Sequence, residues 1–119
     1  MIPSLGRLRY ISALAQVDAV VGNSSSGIVE VPSMGIPTVD IGIRQQGRLR
    51  GDSVLHSGDS ADEIARAIDI ALSQAFRCVA REASNPYGRS DTLELMVKSV
   101  AWWPLDRLRN KKFYDINPL

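Results

Sequence analysis

A chain of 119 residues is long enough for one compact domain and too short for two, since independently folding domains run to about 100 residues or more. Hydrophobic residues at 45% and charged residues at 23% exclude disorder, a collagen-like repeat and a coiled coil, and 14 basic against 13 acidic side chains leave a net +1, too balanced to grip nucleic acid or an anionic membrane. The one cysteine, Cys78, excludes an internal disulfide and a cysteine-rich zinc site, no apolar run nears the roughly 20 residues of a membrane span, and the expectation is a cytoplasmic protein.

Over residues 4–16, Leu5, Leu8, Ile11, Leu14 and Ala15 fall at three-and-four spacing, which predicts a helix with one buried face and Ser4 as its cap. Residues 18–22 form a short apolar run that predicts a strand buried on both faces. A helix is expected over residues 27–34, kinked or stopped early where the Pro32 ring meets the preceding carbonyl. Gly35 and Pro37 end it, and residues 38–42 predict a second strand.

Residues 43–52 are polar, arginine-rich and aperiodic, hence a loop, and residues 53–57 predict a third strand. Ser60 and Glu63 form a capping box, opening a helix whose Ile64, Ala67, Ile68, Ala71, Leu72 and Ala75 make one apolar stripe. A turn follows over residues 85–88, then a last helix on Leu93, Met96, Val97 and Val100. Cys78 is expected to be a small buried hydrophobe, Trp102 and Trp103 to anchor the last helix against a domain missing from this chain, and residues 104–119 to form a loosely ordered tail. Strands alternating with helices imply a parallel sheet with right-handed crossovers. Three short strands are few for it, so the chain reads as the second half of a doubly wound α/β domain, a partial Rossmann-like three-layer sandwich.

The segment Val20-Val-Gly-Asn-Ser-Ser-Ser-Gly-Ile-Val-Glu30 runs from a strand through small polar residues into a helix. Backbone amides and hydroxyls of Ser24, Ser25, Ser26 and Gly27 can then meet a phosphate at the positive end of that helix, with Glu30 one turn on to accept from ribose hydroxyls. The same residues can equally do no more than cap a helix. Arg44 and Arg48 follow the next strand, at the sheet edge where ligands of open α/β sheets gather, although Arg44, Arg48 and Arg50 can also form an ordinary solvated surface loop. His56, inside the third strand, is taken as structural rather than as a general base.

The series GNSSSG, E-x-P-S, G-x-P-T and RQ-x-GR, within GNSSSGIVEVPSMGIPTVDIGIRQQGRLRGDSVLH, resembles the hydrolysing UDP-N-acetylglucosamine 2-epimerase family, in its sialic and nonulosonic acid branch. The resemblance implies that residues 1–103 are the UDP-binding second half of the C-terminal domain of a GT-B fold. It implies that Ser24, Ser25, Ser26 and Gly27 hold the diphosphate, Glu30 the ribose, and Arg44 the charge near the nucleotide sugar. It further implies a reaction in which UDP leaves by anti elimination and water adds to give N-acetylmannosamine. The acid-base residues would lie upstream, leaving none in this chain, with no cofactor, no metal and a homo-oligomeric full-length protein. A GT-B glycosyltransferase fragment and a non-catalytic nucleotide-binding remnant are the alternatives. The turn Asn85-Pro-Tyr-Gly-Arg-Ser departs from the family's NPYG-x-G, lacking its second glycine.

Overall fold

The computed structural model describes residues 5–88 and 90–103, which divide into two units between residues 89 and 90. In the first unit α1 spans Gly6–Leu14. Its last turn tightens as the Gln16 amide bonds the Ala13 carbonyl at 3.0 Å. Of the predicted apolar stripe only Leu14 is buried, packed with Val31 and Ile36, whereas Leu8 is 82% exposed. The spacing correctly groups these side chains on one face, but little of that face is covered.

β1 (Val20–Gly22) is an edge strand with Val21 45% exposed, so the expectation of burial on both faces is corrected. α2 (Ser26–Val29) gives way at once to a 3-10 turn, Val31–Met34, as Pro32 requires. The proline occupies the start of that turn, where its missing N–H leaves no bond unmade. Gly35, at φ 66° and ψ 27°, ends the turn in the left-handed region, and a Cβ there would stand 3.2 Å from the Arg81 backbone.

β2 (Thr38–Ile41) and β3 (Val54–Ser57) complete a parallel sheet in the order β1-β2-β3, with Gly22 opposite Asp40 and Asp40 opposite His56. β2 is central, and its alternation assigns the layers. The Thr38 methyl faces Gly27 of α2, while Val39 packs on Ala67 and Ala71 of α3 (Ala61–Leu72). Helices therefore lie on both faces of the sheet.

The capping box forms: the Ser60 hydroxyl accepts from the Glu63 amide at 3.4 Å and donates to the Glu63 carboxylate at 2.5 Å. The stripe does not continue to Ala75 in one helix. Ser73 turns extended at ψ 145°, and its hydroxyl accepts the Phe76 amide at 3.2 Å to start α4 (Gln74–Glu82). Cys78 lies on α4 and is exposed, which corrects its expected burial. The second unit contains α5 (Thr92–Trp102), which has a Glu94–Lys98 ion pair at 2.7 Å and no buried side chain. Trp102 and Trp103 are exposed. Ser4 and the predicted 104–119 tail lie outside the described residues. Among the described residues no helix is long and apolar enough to cross a membrane.

Candidate functional site

β1 ends at Gly22, and Asn23, Ser24 and Ser25 carry the chain into α2 with all three exposed. Ser25 occupies the N-cap but its side chain makes no capping bond. The turn is instead closed by backbone, Gly27 amide to Ser24 carbonyl and Ile28 amide to Ser25 carbonyl, both at 3.1 Å. The Ser24 hydroxyl receives only a long 3.4 Å bond from the Ser26 amide. The serines are thus not consumed by capping, and the Ser24 and Ser25 hydroxyls stand open beside the start of the helix. Ser26 differs: its hydroxyl is hydrogen-bonded to the Tyr10 hydroxyl of α1. A hollow of about 220 Å³ lies here, lined by Tyr10, Gly22, Asn23, Ser24, Ser26 and Thr38 among others.

Gly27 is buried against the sheet, where a Cβ would come within 2.8 Å of the Thr38 methyl. Its lack of a side chain lets α2 sit close to β2, so the amides of the serine turn are held at the C-terminal edge of the sheet.

The arginine-rich loop is fastened to this turn by a residue that sequence reasoning passed over. Gln45 is buried, and its side-chain amide donates to the Asn23 carbonyl at 2.8 Å. Arg44, the residue before it, is exposed, as is Arg48. Arg50 is no solvated surface residue: its Nε and Nη2 donate to Asp40 Oδ2 at 3.1 and 2.8 Å. The signal for Asp40 was a lone acid inside the apolar run Thr38-Val-Asp-Ile41, where an uncompensated charge is costly.

Glu30 is exposed where α2 meets the 3-10 turn, one helical turn beyond Ser26. It lines a separate hollow of about 290 Å³ with Arg7, Ile11, Ser33, Asn85 and Tyr87 among its walls. The serine turn and Glu30 therefore line two different depressions, both walled in part by α2 and α1. The turn at 85–88 closes the second, with the Asn85 amide donating to the Val29 carbonyl at 2.8 Å and to the Ser33 hydroxyl at 2.6 Å. Tyr87 reaches from the same turn to the Leu49 carbonyl at 3.1 Å. His56 sits within β3, half-exposed, with Nδ1 4.0 Å from Asp40 Oδ2. Among the described residues no cluster of His, Cys, Asp or Glu could hold a metal ion.

The family model described as UDP-N-acetylglucosamine 2-epimerase matches residues 1–101. The chain is 36% identical over 108 residues to the polysialic acid biosynthesis protein P7 of Escherichia coli, covering 90% of this chain and 28% of that protein. It is 30% identical over 121 residues to a UDP-N-acetylglucosamine 2-epimerase of Neisseria meningitidis, covering 97% of this chain and 30% of the relative. A hydrolysing UDP-N,N'-diacetylbacillosamine 2-epimerase of Legionella pneumophila is 35% identical over 105 residues, 88% of this chain and 27% of its own length. The chain spans under a third of the length of each of these relatives. A family match covering most of the sequence, on the segment that builds the serine turn and its arginine loop, places this chain in the UDP-N-acetylglucosamine 2-epimerase family.

Proposed function

We propose that this chain is the UDP-binding portion of a hydrolysing UDP-sugar 2-epimerase, in the second half of the C-terminal domain of a GT-B protein. The observation that carries the reading is the Gln45 to Asn23 bond, which brings the loop bearing Arg44 to the serine turn although 22 residues separate the two bonded partners. Open hydroxyls at a helix start, with an exposed arginine on the loop tied to them, suit a diphosphate. In this reading Ser24, Ser25 and the Ser26 amide hold the phosphates, Gly27 lets the helix approach, Arg44 offsets their charge, and Glu30 accepts from the ribose hydroxyls one turn away.

The full-length reaction in this reading is UDP-N-acetylglucosamine plus water to N-acetylmannosamine plus UDP. UDP leaves first by anti elimination across C1 and C2, and water then adds to the resulting 2-acetamidoglucal. The residues of this chain bind and orient the leaving UDP, and the proton transfers belong to residues outside it. The compartment proposed is the cytoplasm, and the full-length protein a homo-oligomer. The test incubates the 119-residue chain and a full-length version with UDP-N-acetylglucosamine and, separately, its diacetylated bacillosamine analogue. UDP and the epimerised sugar are expected from the full-length protein with one of the two, and none from the chain alone. UDP release by the chain itself, abolished by Glu30→Ala, would refute the division of labour, and UDP release by the full-length protein without the epimerised sugar would refute the reaction.

A further inference from the structure

Asp40 is 1% exposed in the central strand, a position that is costly for a carboxylate unless its oxygens are met. Oδ2 is met by Arg50, while Oδ1 is buried without a hydrogen-bond partner. As a stability device such a half-satisfied acid is inferior to an apolar residue of similar size. Its connections supply a better reason. Arg50 Nη2 donates onward to the Gln45 carbonyl at 3.3 Å, and the Gln45 side chain donates to the Asn23 carbonyl at 2.8 Å. A continuous relay thus runs from the sheet, through the arginine-rich loop, to the residue preceding Ser24.

We infer that Asp40 is a positioning residue which, through Arg50 and Gln45, fixes the serine turn and the Arg44 loop at one spacing. An anion site is strong when its donors are already in place before the ligand arrives, and the relay joins the two segments that carry them. Asp40 touches no ligand in this scheme. Its role at the phosphates rests on the UDP reading above, whereas its hold on the two segments does not.

The experiment compares the full chain with Arg50→Gln, Arg50→Lys and Asp40→Asn by residue-resolved amide hydrogen exchange and by calorimetric titration with UDP. Arg50→Gln is the primary variant because Arg50 is partly exposed and its replacement leaves the core filled, should Asp40→Asn fail to fold. Exchange at residues 23–26 and 44–48 is expected to rise roughly three- to thirtyfold, with UDP weakened by a similar factor and β2 and α3 amides unchanged. Arg50→Lys, which keeps the charge, is expected to recover part of both effects. Unchanged exchange in the two segments, or an equal rise throughout β2 and α3, would overturn the inference and leave a merely structural ion pair. If the parent chain binds no UDP, the UDP reading falls, and the exchange comparison alone decides the relay.

Discussion

Gly27→Ala tests how closely α2 is seated on the sheet. The added Cβ would lie 2.8 Å from the Thr38 Cγ2, against a comfortable carbon separation of about 3.5 to 4.0 Å. Thr38 is 2% exposed and paired on both sides, to Val20 and Val54, so it has nowhere to retreat and α2 must move outward. Overpacking of this kind costs about 1 to 3 kcal/mol, against a gain of about 1 kcal/mol from alanine's better helix propensity. The net expectation is a loss of up to about 2 kcal/mol. Thr38→Ser removes the clashing methyl at a cost of about 0.5 to 1.5 kcal/mol by itself. The double variant should then be more stable than the sum of the two losses implies, by about 1 kcal/mol. Urea denaturation of the four proteins measures this. Losses that add to within about 0.5 kcal/mol would refute the close seating.

Asn85→Ala removes the bonds to the Val29 carbonyl and the Ser33 hydroxyl and should cost about 1 to 2 kcal/mol by urea denaturation; a neutral change would show that the 85–88 turn does not clasp α2. Glu63 is held below its ordinary value of 4.5 by the Ser60 hydroxyl first and the Ser60 amide next, with smaller help from the Arg66 and His56 charges. Its folded value is depressed, so its stabilisation is complete above pH 4.5 and fades as the pH falls through the lower folded value. Glu63→Gln should therefore flatten the acid limb of stability against pH below that point, and an unaltered limb would contradict the capping role.

The local elements were legible because their causes are local. The proline that ends α2, the capping box of α3 and the three short strands follow from residues within a few positions of one another. The break between α3 and α4 was hidden because the apolar stripe keeps its phase across Ser73, while the decision lies in that serine's hydroxyl reaching the Phe76 amide. Periodicity likewise placed Leu8 with Leu14 on one face of α1 without saying what covers that face. At the candidate site, the serines and Arg44 stand out as a motif in the sequence. Gln45 and Asn85 lie within motifs, RQ-x-GR and the NPYG turn, but their roles, like those of Asp40 and Tyr10, do not show, because the partners of the four lie 22, 56, 10 and 16 residues away and meet only once the sheet has formed. Each is a single polar residue whose meaning depends on a tertiary neighbour.

The central claim, that the serine turn, Glu30 and Arg44 form one UDP site, is tested most directly by calorimetric titration of UDP against the parent protein and three variants at two salt concentrations. Glu30→Ala removes the acceptor for two ribose hydroxyls and should weaken UDP by about 1 to 3 kcal/mol. Arg44→Ala should weaken it by an amount that shrinks as salt rises, because the guanidinium is exposed and its attraction to phosphate is screened. His56→Ala, altering a ring in β3 that lines neither hollow, should leave the affinity nearly unchanged. A larger loss from His56→Ala than from Glu30→Ala, or no UDP binding by the parent, would contradict the account.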